Sequence, residues 1–103
     1  MRDREARVGC VSDVIQNQEL SRFELVQGGE LVGYTEYRIV GNEMIFTHTE
    51  ILGAEREHGL GGQLVRDALD HVRDRTDYRV VAQCPFVAHW LKGHPDYQGL
   101  LTR

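Results

Sequence analysis

The sequence predicts an α/β protein of the α+β kind, with one mixed sheet: an antiparallel meander leads into a βαβ unit, and a short helix closes the chain. Three observations carry this. Segments of strand composition, punctuated by Gly28-Gly29 and Gly41-Asn42, fill residues 11–52. Apolar residues then change to helical spacing between Leu60 and Val72. Finally, Val80-Val81-Ala82 is apolar without alternation, as in a strand covered on both faces. At 103 residues the chain has room for one core, which needs neither disulfide nor structural metal.

Residues 1–10 are charged and aperiodic, and are expected to form a flexible N-terminal segment before a single domain spanning 11–103. Val11 to Ile15 reads as a short strand, followed by a loop over Gln16 to Leu20. Ser21 to Val26 alternates Phe23 and Leu25 with Arg22 and Glu24, the period of a half-buried strand. Gln27-Gly28-Gly29 turns the chain into a long strand, Glu30 to Val40. Gly41-Asn42 offers the positive-φ residues of a tight hairpin, and Glu43 to Leu52 returns antiparallel. Leu60, Leu64, Val65, Ala68, Leu69 and Val72 form one stripe, opposite Gln63, Arg66, Asp67, Asp70 and Arg73, so Leu60 to Arg75 is an amphipathic helix. Tyr78 to Cys84 is the strand that closes the βαβ unit, with a right-handed crossover. Pro85 opens a last helix that Gly93 ends. Its apolar side, with Phe86, Val87, Trp90 and Leu91, is either core or, where a remnant stays exposed, a homodimer contact.

The charge pattern excludes whole classes of function. Net charge is −4, and the twelve cations, eleven of them Arg, are dispersed among acidic residues. Nucleic-acid binding needs clustered positive charge and is not expected. Apolar runs of four or five residues are far from the roughly 20 of a spanning helix, so no membrane partner is expected either. With no secretion signal read at the N-terminus, the chain is assigned to the cytoplasm, where Cys10 and Cys84 are free thiols.

In a βαβ unit ligands bind beyond the carboxyl ends of the parallel strands, and that edge gathers residues 50–62 and 84–94. Arg56-Glu57-His58-Gly59-Leu60-Gly61-Gly62 lies there, between a strand end and a helix start. Glycines let backbone approach a ligand, the first helical amides have no internal acceptor, and the helix dipole and Arg56 favour an anion such as a pyrophosphate. The plainer alternative is a tight connection. A P-loop would need Gly-Lys-Ser/Thr, and a dinucleotide fingerprint would need glycine where Leu64 stands, so neither ATP nor NAD is favoured.

Arg56-x-x-Gly59-x-Gly61, after a strand and opening a helix, resembles the acyl-CoA pyrophosphate loop of the GCN5-related N-acetyltransferases (the GNAT superfamily). The ordered set His48-Thr49-Glu50, glycine loop, Cys84 and His94-Pro95-x-Tyr97 resembles its small single-domain YjdJ/NATD1-like group, over about Arg22 to Leu100. The resemblance implies a compact GNAT-like sheet that splays between two central parallel strands, with acetyl-CoA in the gap. It implies a pantetheine arm along Glu50, Ile51 and Leu52. It also implies a pyrophosphate held by Arg56 and by backbone of Glu57, His58, Gly59, Leu60, Gly61 and Gly62.

Cys84 is the first candidate for chemistry. It stands at a strand end directly before Pro85, where a helix N-terminus favours thiolate, and it can serve as a nucleophile or simply as a small core residue. His48 and Glu50, two apart on one strand face, can pair as a general base for an attacking amine or be ordinary half-buried polar groups. His94-Pro95-Asp96-Tyr97 reads as a structural turn that can also bring His94 or Tyr97 to the Cys84 edge. The His and Cys spacings match no metal motif. The function expected is acetyl transfer from acetyl-CoA to an unidentified amine. The alternative is a non-catalytic CoA- or acyl-CoA-binding or interaction module with a reduced acceptor site.

Overall fold

The computed structural model describes residues 12–52 and 59–103; the N-terminal segment, Cys10, Arg56, Glu57 and His58 lie outside the described residues. The chain forms β1 (Ser12–Asn17), β2 (Arg22–Gln27), β3 (Glu30–Val40), β4 (Glu43–Ile51), α1 (Leu60–Arg75), β5 (Arg79–Ala82), α2 (Pro85–Lys92) and a 3₁₀ helix over Pro95–Thr102. The sheet runs in sequence order, β1 to β5. The first four strands are antiparallel neighbours, and β5 adds parallel to β4. This is the mixed α/β fold that the sequence predicts.

Hairpin chemistry sets the register. Gly28 and Gly29 both have positive φ, 60° and 85°, between the paired Gln27 and Glu30, which fits a type I′ loop. At the next hairpin only Gly41 is left-handed, φ 58°, so Asn42 does not take the positive φ expected of it. That pattern belongs to type II′, which asks for glycine at the first loop position alone. β1 also runs further than expected, because Gln16 and Asn17 pair with Phe23 and Arg22. The polar end of this strand hides its period: Gln16 donates to the Tyr37 hydroxyl at 2.8 Å and Asn17 to Glu24 at 3.0 Å.

One sheet face carries the core. Phe23, Leu25, Tyr37, Met44 and Phe46 pack with Leu64, Val65, Ala68, Leu69 and Val72 of α1, and with Val87, Trp90 and Leu91 of α2, in a single buried cluster. The opposite face carries charge, with the Arg22 guanidinium 4.4 Å above the Tyr34 ring and also paired with Glu24. A register shift between Glu36 and Tyr37 inserts Thr47 as an extra residue in β4. The bulge therefore keeps Phe46 and Thr49 on the same face although they are three apart.

β5 departs from the expectation of a strand over Tyr78 to Cys84 covered on both faces. It pairs only with β4, at the sheet edge among the described residues; Val80 is buried while Val81 is only half-buried. The parallel pair is thus peripheral rather than central. The strand stops because the amides of Gln83 and Cys84 both turn onto the Phe46 carbonyl, at 3.0 and 2.8 Å, before Pro85 starts α2.

Candidate functional site

The β4–β5 ladder ends at the Phe46–Ala82 pair, yet β4 continues to Ile51. Its backbone edge from Thr47 onward has no β5 partner, and a cleft of about 330 Å³ opens there between Thr49, Glu50, Ile51, Gly59, Gly61, Gly62 and Phe86. Leu52 is tied back to β3 by its amide, which donates to Val32 at 2.9 Å, and does not line the cleft.

Across the cleft stands the N-terminus of α1. Gly59 caps it in the left-handed region, φ 72°, with no side-chain cap, and the first turn carries no acidic residue. The first intrahelical bond comes from Gln63 to the Gly59 carbonyl, so the amides of Leu60, Gly61 and Gly62 have no helical acceptor. The positive end of the helix dipole is left without a protein counter-charge in that turn. Leu60 itself is buried in the core and offers the cleft only backbone. The described part of the glycine loop therefore has the donors an anion needs.

Phe86 is a site residue that sequence reasoning placed in the core instead. Its side chain is 43% exposed and stands over Gly61, where a Cβ would meet Cζ at 2.5 Å. A side chain at 61 would therefore have to push the ring aside. The signal was present in the order Cys84-Pro85-Phe86, which sets the second helical residue at the same sheet edge as the glycine loop.

Cys84 caps α2 and is 3% exposed. Its Sγ lies 3.4 Å from Thr49 Oγ1, which is in turn 2.9 Å from the hydroxyl of fully buried Thr35. Thr49 lines the cleft, so the thiol sits directly behind the cleft wall. His48 and Glu50 come together, Nε2 to Oε1 at 3.1 Å, with side chains 53% and 43% exposed. They flank Thr49 in the strand and so project to the other sheet face, where His48 neighbours Tyr34. The pair and the thiol are not brought together.

His94 and Tyr97 make a structural corner. The imidazole stacks on Trp90 at 3.7 Å with Nδ1 2.7 Å from the Trp90 carbonyl, while the Tyr97 hydroxyl donates to Asp70 at 2.7 Å. That bond to Asp70, with burial adding to it, raises the phenol above its ordinary pKa and keeps it a donor. Trp90 and Leu91 are buried inside the domain. Among the described residues no His, Cys, Asp and Glu cluster is built for a metal, and no helix is long and apolar enough to cross a membrane.

Comparison with curated proteins gave no match. The model of the GCN5-related N-acetyl-transferase family, by contrast, matches residues 22–100, from β2 into the 3₁₀ helix, and so takes in every element that builds the cleft. With most of its length matched, and with a mixed sheet that parts between β4 and β5, the chain belongs to the GCN5-related N-acetyltransferase family.

Proposed function

We propose that the chain binds acetyl-CoA in the cleft between β4 and α1 and transfers the acetyl group to an amine. The observation that carries this reading is the juxtaposition of three amides without a helical acceptor, a strand edge beyond the reach of β5 and a thiol behind one wall. The donors suit the molecule: backbone of Gly59, Leu60, Gly61 and Gly62 for the pyrophosphate, joined by Arg56, Glu57 and His58, and the β4 edge at Ile51 for the amide-bearing arm, with Leu52 held back on β3. Bound there, acetyl-CoA supplies an acyl group already activated as a thioester.

Within the chain, Cys84 Sγ is the better supported nucleophile: it lies behind the cleft wall through Thr49 and caps the N-terminus of α2, whereas Glu50, which also lines the cleft, gives its carboxylate to His48 on the other sheet face. The thiol donates a hydrogen bond to Thr49 Oγ1, and the hydroxyl–hydroxyl bond with Thr35 fixes the Thr49 rotamer. The second route has the Glu50 carboxylate, oriented by His48, taking the proton of the incoming amine; its motivation is their mutual hydrogen bond.

The test is thermal unfolding and calorimetric titration with acetyl-CoA, against ATP and NADH at equal ionic strength, followed by an amine panel scored by release of free thiol. A midpoint rise with acetyl-CoA alone, then amine-dependent thiol release, is expected. Binding without turnover of any amine would favour the non-catalytic module. No response to acetyl-CoA would make the Gly59–Gly62 turn purely structural.

A further inference from the structure

Three hydrogens sit on Cys84 Sγ, Thr49 Oγ1 and Thr35 Oγ1, but these groups make only two contacts, 3.4 Å from Sγ to Thr49 and 2.9 Å between the hydroxyls. None of the three side chains has another hydrogen bond among the described residues. One hydrogen is therefore left over.

Burial decides which one. Thr35 is 0% exposed, and if it accepted from Thr49 its own proton would be enclosed without a partner, at a cost of about 1–3 kcal/mol. If Thr35 donates, Thr49 Oγ1 accepts from both Thr35 and the thiol, which fills its lone pairs. The Thr49 proton is then the free one, and Thr49 is the half-buried member of the trio, the one that lines the cleft. Turning that proton onto Sγ would give it a poor acceptor, because sulfur accepts weakly.

The rest of the wall offers no substitute. Ile51 and Phe86 are apolar, the glycines carry no side chain, and Glu50 gives its carboxylate to His48. Among the described side chains that line the cleft, Thr49 holds the only hydroxyl. The bulge at Thr47 is what turns it to the core-side face, beside the thiol.

We propose that Thr49 is a catalytic residue of the acetyl-transfer site, its hydroxyl donating to the thioester carbonyl oxygen and to the oxyanion which that oxygen becomes. This rests on the proposed binding of acetyl-CoA in the cleft, and it holds for either route of attack. As the nucleophile bonds to the carbonyl carbon, the carbonyl π pair moves onto oxygen and strengthens the bond from Thr49. The pair returns as the C–S bond breaks, and the CoA thiolate leaves with the proton that the nucleophile gives up.

The probe is acetyl-CoA carrying ¹³C at the carbonyl, at saturating concentration on the full chain, on Thr49→Ser and on Thr49→Val. Calorimetry first establishes binding, and difference infrared spectroscopy then reads the carbonyl stretch. The stretch should lie lower in the native chain and in Thr49→Ser than in Thr49→Val, which lacks the donor. Thr49→Ala gives the same comparison where Thr49→Val does not fold. With an amine acceptor, kcat should fall about a hundredfold in Thr49→Val while the KM for acetyl-CoA stays close to native, and Thr49→Ser should recover most of the loss. The same stretch with and without the hydroxyl, or a native kcat in Thr49→Val, would overturn the role of Thr49 and leave acetyl-CoA binding standing. No binding of acetyl-CoA to the native chain would overturn both.

Discussion

Cys84 shows how a residue can be legible in place and illegible in context. Its position before Pro85 was enough to set it at the start of a helix, and α2 begins there. Its partners depend instead on a bulge that turns Thr49 inward and on a cross-strand bond to Thr35, and the order of residues carries neither. Cys84→Ala should reduce turnover by more than about a hundredfold if the thiol is the nucleophile, with a stability loss of only about 1 kcal/mol for a small buried group. Steady-state rates and melts on the same sample separate the two effects. Turnover at the native level would remove the covalent route and leave Glu50 and His48. Thr35→Val should cost about 1 kcal/mol by urea unfolding, because Thr49 loses a buried partner. His71 adds a pH signature. Its folded pKa lies below 6.5, through burial first and Arg75 second, so the unfolded chain binds the proton more tightly. Its stabilisation is complete above pH 6.5 and is lost as pH falls through the folded value. The ring packs against Phe23 and senses Arg75, and Tyr37 and Asp77 line the cavity beside it. Melts between pH 7.5 and 5.5 should therefore fall more steeply for the native chain than for His71→Gln.

Among the elements, α1 was readable in full, since each apolar residue of its stripe is buried and its ends fall where glycine and the loss of period set them. β5 was not, because its apolar run encodes burial while its edge position is decided by the absence of a further strand beside it. The packing of α2 on α1 was equally hidden: nothing in the spacing of Gly61 announces a ring above it. At that contact, Gly61→Ala should destabilise by about 1 kcal/mol, as Phe86 is forced aside from a Cβ at 2.5 Å. In a Phe86→Ala background the same change should be neutral or stabilising, since alanine suits a helix better than glycine. The double-mutant cycle measures this, and additivity would mean that the ring moves freely. At the opposite end of α1, Arg103 donates to the carbonyls of Val72, Thr76, Tyr78 and Arg73 at 2.8 to 3.2 Å, joining the chain end to the helix end. Arg103→Lys keeps the charge but not the fork, and should lose about 1 kcal/mol by urea unfolding, close to the loss for Arg103→Ala.

At the scale of the whole molecule, one buried cluster connects all three helices to one face of the sheet, so a ligand held by any of them must act on the same unfolding equilibrium. The cleft lies where β4 outruns β5, beside the N-terminus of α1, and is walled by elements that share that cluster. Acetyl-CoA at about a hundred times its Kd should therefore stabilise by about 2.7 kcal/mol, which in a domain of this size moves the melting midpoint by on the order of 10 °C. Melts over a series of acetyl-CoA concentrations make the test. A midpoint that keeps rising with the logarithm of concentration above Kd is the expected outcome, and a midpoint that stays level would mean that the folded chain does not bind it.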